Sequence, residues 1–325
     1  MRALTFLVIF LAVIYGGYWA IGARALENGT NSAVAQMRAD GWLLNIADVA
    51  TKGFPSRFDT TLSNVEIAPP DGTWRYSAPF VQALALSYAP NKLIAVLPQQ
   101  QQIDLLNQSL NITSTTLRAS TGVAANPDLD FQGFTAEGAD LSVQSSWGWS
   151  IAANNLLAAM RPNAQSEAAH DIYAELSGIK LGQGLSQQLA SMPDLIESVS
   201  FDAIVSLNVP LDRHSFQTQS EIIPTDLTLK AFKLLWGEVK LSAKGDFVIT
   251  NGYPVGQLDL TISKWDQLVD ALVANGLVEA EVAKTYSDVA ALLATEAGDL
   301  EVPVTFQNGL ISYGILPLGP APRFY

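Results

Sequence analysis

The 325-residue chain has no cysteine and only two histidines, His170 and His214. Lack of cysteine removes disulfides, thiolate nucleophiles, iron–sulfur clusters and Cys-type zinc sites together, and lets the chain fold in any redox compartment. The two histidines are far apart and neither stands in a ligand pattern, so a multi-histidine metal site is excluded. Charge is also scarce: Asp, Glu, Lys and Arg make up 15% of the residues, against roughly 25% in ordinary soluble domains. Lys and Arg number 18 against 31 acids, giving a formal charge of -13, which repels phosphate backbones and argues against nucleic acid as a partner. No Walker lysine motif and no Gly-x-Ser-x-Gly elbow occurs. Gly182-Gln183-Gly184 lacks the third glycine of a dinucleotide loop and reads as a turn. No cofactor is expected.

What the chain does have is apolar residues, at 49%, enough for one large or two modest cores. The densest run is at the start, where Met1-Arg2 precedes ALTFLVIFLAVIYGGYWAI, Ala3 to Ile21, with no charge. Its 19 residues, as a helix, cover about 28 Å of a hydrocarbon core about 30 Å thick. Tyr15, Tyr18 and Trp19 gather near its far end, where amphipathic rings favour the membrane interface. Arg2 and the amino terminus favour an inside N-terminus, which leads to the expectation of a single-pass anchor with the remaining chain outside the cytoplasm. Ala23-Arg24-Ala25 has the small-x-small form of a signal-peptidase site, so cleavage after Ala25 is the alternative. The run exceeds a usual signal h-region, and retention is the preferred reading.

Glu27 to Asp40 reads as a short helix leaving the membrane and ending at Gly41. Alternation and turn residues dominate Trp42 to Asn111, in RFDTTLSNVEI and WRYSAPFVQALALSYAP, as in a β-meander. Further strands are expected at Thr115–Arg118, Gly138–Gln144, Ile172–Leu181 and Val199–Val209. Ser150 before IAANNLLAAM reads as the N-cap of a helix stopped at Arg161-Pro162-Asn163, and Ala190 to Pro193 as the close of a short one. Asn251-Gly252 and Asn308-Gly309 sit between alternating runs and mark hairpins, because both central residues of a type I′ turn need positive φ. Between them, Ser263 caps a helix with Trp265, Leu268, Val269 and Leu272 on one face. A second carries Val282, Tyr286, Val289 and Leu292.

The expected fold is α+β, mainly β: an extended curved antiparallel sheet with helices packed on one side, preceded by an N-terminal transmembrane helix. The expected divisions are 1–25, anchor or signal segment; 26–193, first half of a β-rich exported domain; and 194–325, second half with the helical pair 264–297 and the C-terminal hairpin.

Gly53-Phe54-Pro55-Ser56-Arg57-Phe58, Trp236-Gly237 before LSAKGDF, and the closing Gly314-Ile315-Leu316-Pro317-Leu318-Gly319-Pro320 together resemble an uncharacterised Gram-negative envelope family, domain of unknown function 2125. The resemblance covers the whole chain. It implies an inner-membrane, single-pass anchor through Ala3 to Ile21, a β-rich C-terminal domain in the periplasm, and no agreed activity. The strand-rich layout and Asn-Gly ending are more loosely similar to AsmA-like envelope proteins, at the level of fold alone.

Two residues stand out as ligand-binding or structural candidates. Arg57, after a Phe-Pro turn, has the fork geometry to hold a carboxylate or phosphate; an internal ion pair with Asp59 or Glu66 is the plainer reading. Trp236 offers a stacking surface, yet beside Leu234 and Leu235 it reads first as core. His170-Asp171 are sequence neighbours that seldom face each other, and Asp128 with Asp130, or Asp226 with Glu221, would serve as acid and base only if the fold brought them together. No catalytic or metal residue is nominated. The preferred function is a non-enzymatic envelope protein holding a lipid or other hydrophobic ligand. The alternatives are a structural or assembly factor acting through protein contacts, and a carboxylate-dependent envelope hydrolase.

Overall fold

The computed structural model describes residues 2–187, 189, 192–217, 222–276 and 278–325. In chain order the elements are α1 (Arg2–Ala39), β1 (Leu43–Asn45), β2 (Asp48–Lys52), β3 (Arg57–Ala68), β4 (Trp74–Leu86), β5 (Ala89–Val96), β6 (Gln100–Leu105), β7 (Gln108–Thr113), β8 (Thr116–Val123), β9 (Phe131–Ser145), β10 (Ser150–Asn163), β11 (Ser166–Leu181), α2 (Gln183–Ser186), β12 (Leu195–Leu207), α3 (Arg213–Gln217), β13 (Pro224–Trp236), β14 (Val239–Thr250), β15 (Tyr253–Ser263), α4 (Trp265–Ala274), α5 (Ala280–Leu293), β16 (Leu300–Gln307), β17 (Leu310–Tyr313) and β18 (Leu316–Pro320). The fold is mainly antiparallel sheet behind a long N-terminal helix, as expected.

The chain forms two compact units: Met1–Val123 with 136–138 and 142–147, and Gly148–Tyr325 with 124–135 and 139–141. Pro193 lies inside the second.

In the first unit β3 is the hub, pairing with β1, β2 and β4. Strand β4 then serves two partners, β5 through its C-terminal half and β6 through its N-terminal half. The helix is one continuous rod from Arg2 to Ala39, so the expected separate helix at 27–40 is the extension of the apolar one. No proline interrupts it, and it ends before Gly41 at φ 91°. Its second half lies on the sheet. Ala23 and Val34 are buried, Glu27 accepts a hydrogen bond from the backbone N–H of Thr51 at 2.7 Å, and Arg38 donates to the carbonyl of Leu44 at 2.7 Å.

In the second unit β10 through β18 follow one another as an antiparallel meander. The segment expected to be a helix, IAANNLLAAM, is instead the body of β10. Its Ala, Leu and Met favour helix only weakly, whereas Leu156, Ala158 and Met160 find Leu176, Ala174 and Ile172 directly opposite on β11. Cross-strand pairing overrides the local preference. Both Asn-Gly hairpins form, with φ of 52° and 80° at Asn251 and Gly252 and of 53° and 72° at Asn308 and Gly309. The expected helical pair appears as α4 and α5. Lys264, not Ser263, is the N-cap of α4, because Ser263 still pairs with Lys240 as the last residue of β15. The side chains of Val282, Tyr286 and Val289 and the expected helix close at Ala190 lie outside the described residues. Helix α4 rests on the sheet through Ala271, which packs with Met192 and the fully buried Val239, and Trp236 joins this cluster.

Candidate functional site

The register of β10 to β16 arranges side chains into rows that run across the sheet, since directly opposed residues in antiparallel strands share a face. One row reads Leu156, Leu176, Val199, Leu234, Leu241, Ile262, Leu300: one branched aliphatic from each of seven successive strands. The next reads Ala158, Ala174, Phe201, Phe232, Ala243, Leu260, Val302, and a third Met160, Ile172, Ala203, Leu229, Gly245, Leu258, Val304. The opposite face is polar, as in the row Glu175, Ser200, Lys233, Ser242, Thr261, Glu301.

Burial is uneven over the apolar face. Ala203, Leu229 and Ala243 form a buried cluster with Phe201, Phe232, Leu258 and Leu260 packed around it. In the first row all seven aliphatic side chains are only half-buried. Seven strands at about 4.8 Å spacing make this row about 29 Å long. Within the first unit a separate apolar recess of about 450 Å³ is lined by Ile67, Trp74, Tyr76, Ile103 and Leu105, next to the edge-to-face pair of Trp42 and Trp74.

Arg57 forms an ion pair with Asp59 at 3.0 Å, and its backbone carbonyl accepts the indole N–H of Trp19 at 2.8 Å. Glu66 pairs with Arg75 instead, at 2.7 Å. Trp236 donates its indole N–H to the carbonyl of Pro193 at 2.7 Å while its ring joins the Val239 cluster. His170 and Asp171 point to opposite faces of β11. His170 is buried, 5.7 Å from the Phe131 ring, and burial pushes its pKa below the usual value, opposed in part by the backbone of Ala168. Asp171 lies on the polar face, hydrogen-bonded to Lys230, Asn163 and Arg161. Lys230 leads in holding its pKa below the usual carboxylate range.

The other acids do not converge. Asp128 faces His214 at 3.3 Å with both side chains more than half exposed, Asp130 takes the amide of Asn126, and Asp226 is an exposed residue of β13. Glu221 lies outside the described residues. Among the described residues no group of three or more His, Asp or Glu is placed to hold a metal ion. The rows themselves went unnamed at the level of sequence; the signal was present as the alternation within β13, β14 and β15.

The helix α1 is long and apolar enough to cross a membrane. The family described as "Uncharacterized protein conserved in bacteria (DUF2125)" matches residues 19–322, and the chain belongs to it. No curated protein and no solved structure matches the chain.

Proposed function

From membership of the uncharacterised bacterial DUF2125 family, we propose that this chain is a membrane-anchored envelope protein whose second unit holds a lipid or another long apolar ligand against its sheet. The observation that carries the reading is the row from Leu156 to Leu300, with seven aliphatic side chains from seven strands, all half-buried. A finished core would bury such residues almost completely. A face waiting for a flexible chain leaves them partly open, and covering them with acyl methylenes stabilises the complex by about 0.8 kcal/mol per CH₂.

The anchor is α1, retained and not cleaved, with Arg2 on the cytoplasmic side of the inner membrane and both units in the periplasm. Retention is supported by the position of Ala23-Arg24-Ala25 in the middle of one continuous helix, with Ala23 buried, where a protease would need an extended strand.

The test uses full-length protein in its own membrane, with a photoreactive benzoyl-phenylalanine at Leu234 or Leu241 on the apolar face, or at Lys233 or Ser242 on the polar face. Irradiation should add lipid mass to the first two variants and not to the second two. Absence of lipid adducts at Leu234 and Leu241, or equal labelling of both faces, would sink the proposal.

A further inference from the structure

The exposed part of α1 is too short to cross a membrane by itself. From Ala3 to Ile14 the helix is exposed on every side, but about 12 residues cover only about 18 Å of a hydrocarbon core about 30 Å thick. From Tyr15 onward the helix is in contact with two turns of the first unit, β2–β3 and β4–β5, at the open end of the β3–β4 hairpin. An ideal Cβ on Gly16 would meet the Phe54 ring at 3.9 Å. Trp19 packs edge-on against Phe54 at 5.5 Å and stacks on Phe58 at 5.9 Å. The hydroxyl of Tyr18 donates to the Ser87 carbonyl at 2.6 Å, and that of Tyr15 shares a hydrogen bond with Ser87 Oγ at 2.8 Å.

A bilayer that covers the apolar helix as far as Ile21 therefore reaches both turns. Their composition suits that setting. Phe54 is 59% exposed, Tyr88 71% and Leu86 37%, so three large apolar groups point away from the sheet at the depth of helix residues 15–19. Several of their polar groups are also paired: the Ser87 N–H donates to the Ser56 carbonyl at 2.9 Å, its Oγ donates to the Pro55 carbonyl at 3.0 Å, and the Arg57 N–H bonds to the Gly53 carbonyl at 2.9 Å. Saturated polar groups are what irregular backbone needs next to hydrocarbon. Arg57, half-exposed and paired with Asp59, has a stem long enough to lift its charge to the headgroups.

We propose that the turns carrying Phe54 and Leu86–Tyr88 insert into the outer leaflet beside α1. The protein is then held by a helix and a wedge of aromatic and aliphatic side chains, which fixes the first unit against the bilayer surface. This rests on α1 being a membrane span. Its partner is the lipid bilayer itself, engaged through apolar contact and not through the charge of an acidic protein.

The natural absence of cysteine makes the test direct. Single-cysteine variants Phe54→Cys, Tyr88→Cys, Ser56→Cys, Leu106→Cys and Val8→Cys of the full-length chain are labelled with an environment-sensitive dye in phosphatidylcholine nanodiscs containing doxyl-labelled lipid. Leu106 is an equally exposed apolar residue, 76%, in the turn after β6. Its neighbour Leu105 pairs with Trp74, at the other end of β4, so it controls for dye stickiness. Ser56→Cys keeps the Phe54 ring and guards against a local packing fault. Dyes at 54, 56 and 88 should be quenched at least threefold more than the dye at 106. If the dye at position 8 is quenched and those at 54, 56 and 88 behave like 106, the wedge is overturned while the anchor stands. If position 8 is not quenched either, the anchor falls and the wedge with it.

Discussion

Gly22 is the point where the docking of α1 can be measured as a free energy. An ideal Cβ there would lie 2.7 Å from Phe58 Cζ and 3.2 Å from Cε1. The ring cannot swing away easily, being 3% exposed and flanked by Trp19 at 5.9 Å and Tyr18 at 6.5 Å. On a helix that touched nothing, Gly22→Ala would stabilise by about 1 kcal/mol through backbone entropy alone. Here the methyl overpacks a filled site, which costs about 1–3 kcal/mol, so docking should weaken by up to about 2 kcal/mol. That is a rise of up to about 30-fold in the opening of the helix from the sheet. In a Phe58→Leu background the clash is gone and the same substitution should become neutral or stabilising, a coupling of about 1–3 kcal/mol between the two sites. Hydrogen exchange of the amides of residues 22–39, in full-length protein in nanodiscs, reads the opening directly. If Gly22→Ala raises protection equally in both backgrounds, α1 does not rest on Phe58 and the reasoning about the wedge loses its footing.

Val239→Ala should lower the denaturant stability of the second unit by about 1–3 kcal/mol, since Val239 is fully buried between Met192 and Ala271; a loss below about 0.5 kcal/mol, the scatter of surface substitutions, would mean that α4 is not seated there. Gly252→Ala should cost clearly more than Gly309→Ala in thermal unfolding. Both have positive φ, but the new Cβ at 252 meets the Tyr325 carbonyl at 2.5 Å whereas the one at 309 only touches the Tyr253 ring at 3.5 Å; equal losses would contradict that packing. Stability should fall in two pH steps. His170, with its folded pKa depressed by burial, contributes stability above about pH 6.5 that is lost as pH falls through the folded value. Asp171, held low first by Lys230, contributes above the ordinary carboxylate range and loses it below that range. In thermal unfolding across pH, His170→Leu should remove the first step and Asp171→Asn should reduce the second, which Asp71, Asp104 and Asp212, also held low by hydrogen bonds, share; a profile unchanged in both would refute the assignment.

Local chemistry was legible wherever a residue type dictates its own backbone. Asn251-Gly252 and Asn308-Gly309 formed the hairpins expected of them because positive φ at two successive positions admits few other residues. Gly41 likewise ended α1. Where local preference is weak, the outcome depended on partners distant in sequence. IAANNLLAAM carries a helix-compatible composition and became β10 because Leu176, Ala174 and Ile172 lie opposite it. The continuity of α1 past Ile21 had the same origin: Glu27 is held by β2 and Arg38 by the carbonyl of Leu44 in β1, contacts that no periodicity within the helix reports.

The candidate site was less legible for a related reason. A residue such as Leu234 or Leu241 has the same sequence signature whether it faces a closed core or an open apolar stripe, since alternation records which face is apolar and not how much covers it. Coverage is decided by what the topology brings over the face. Here Ala203, Leu229 and Ala243 form a buried cluster, while the row from Leu156 to Leu300 keeps its side chains half-buried. The distinction between core and open apolar face thus lies in the gradient of burial from one row to the next, read across seven strands. That gradient appears only once register assigns each residue its opposite number.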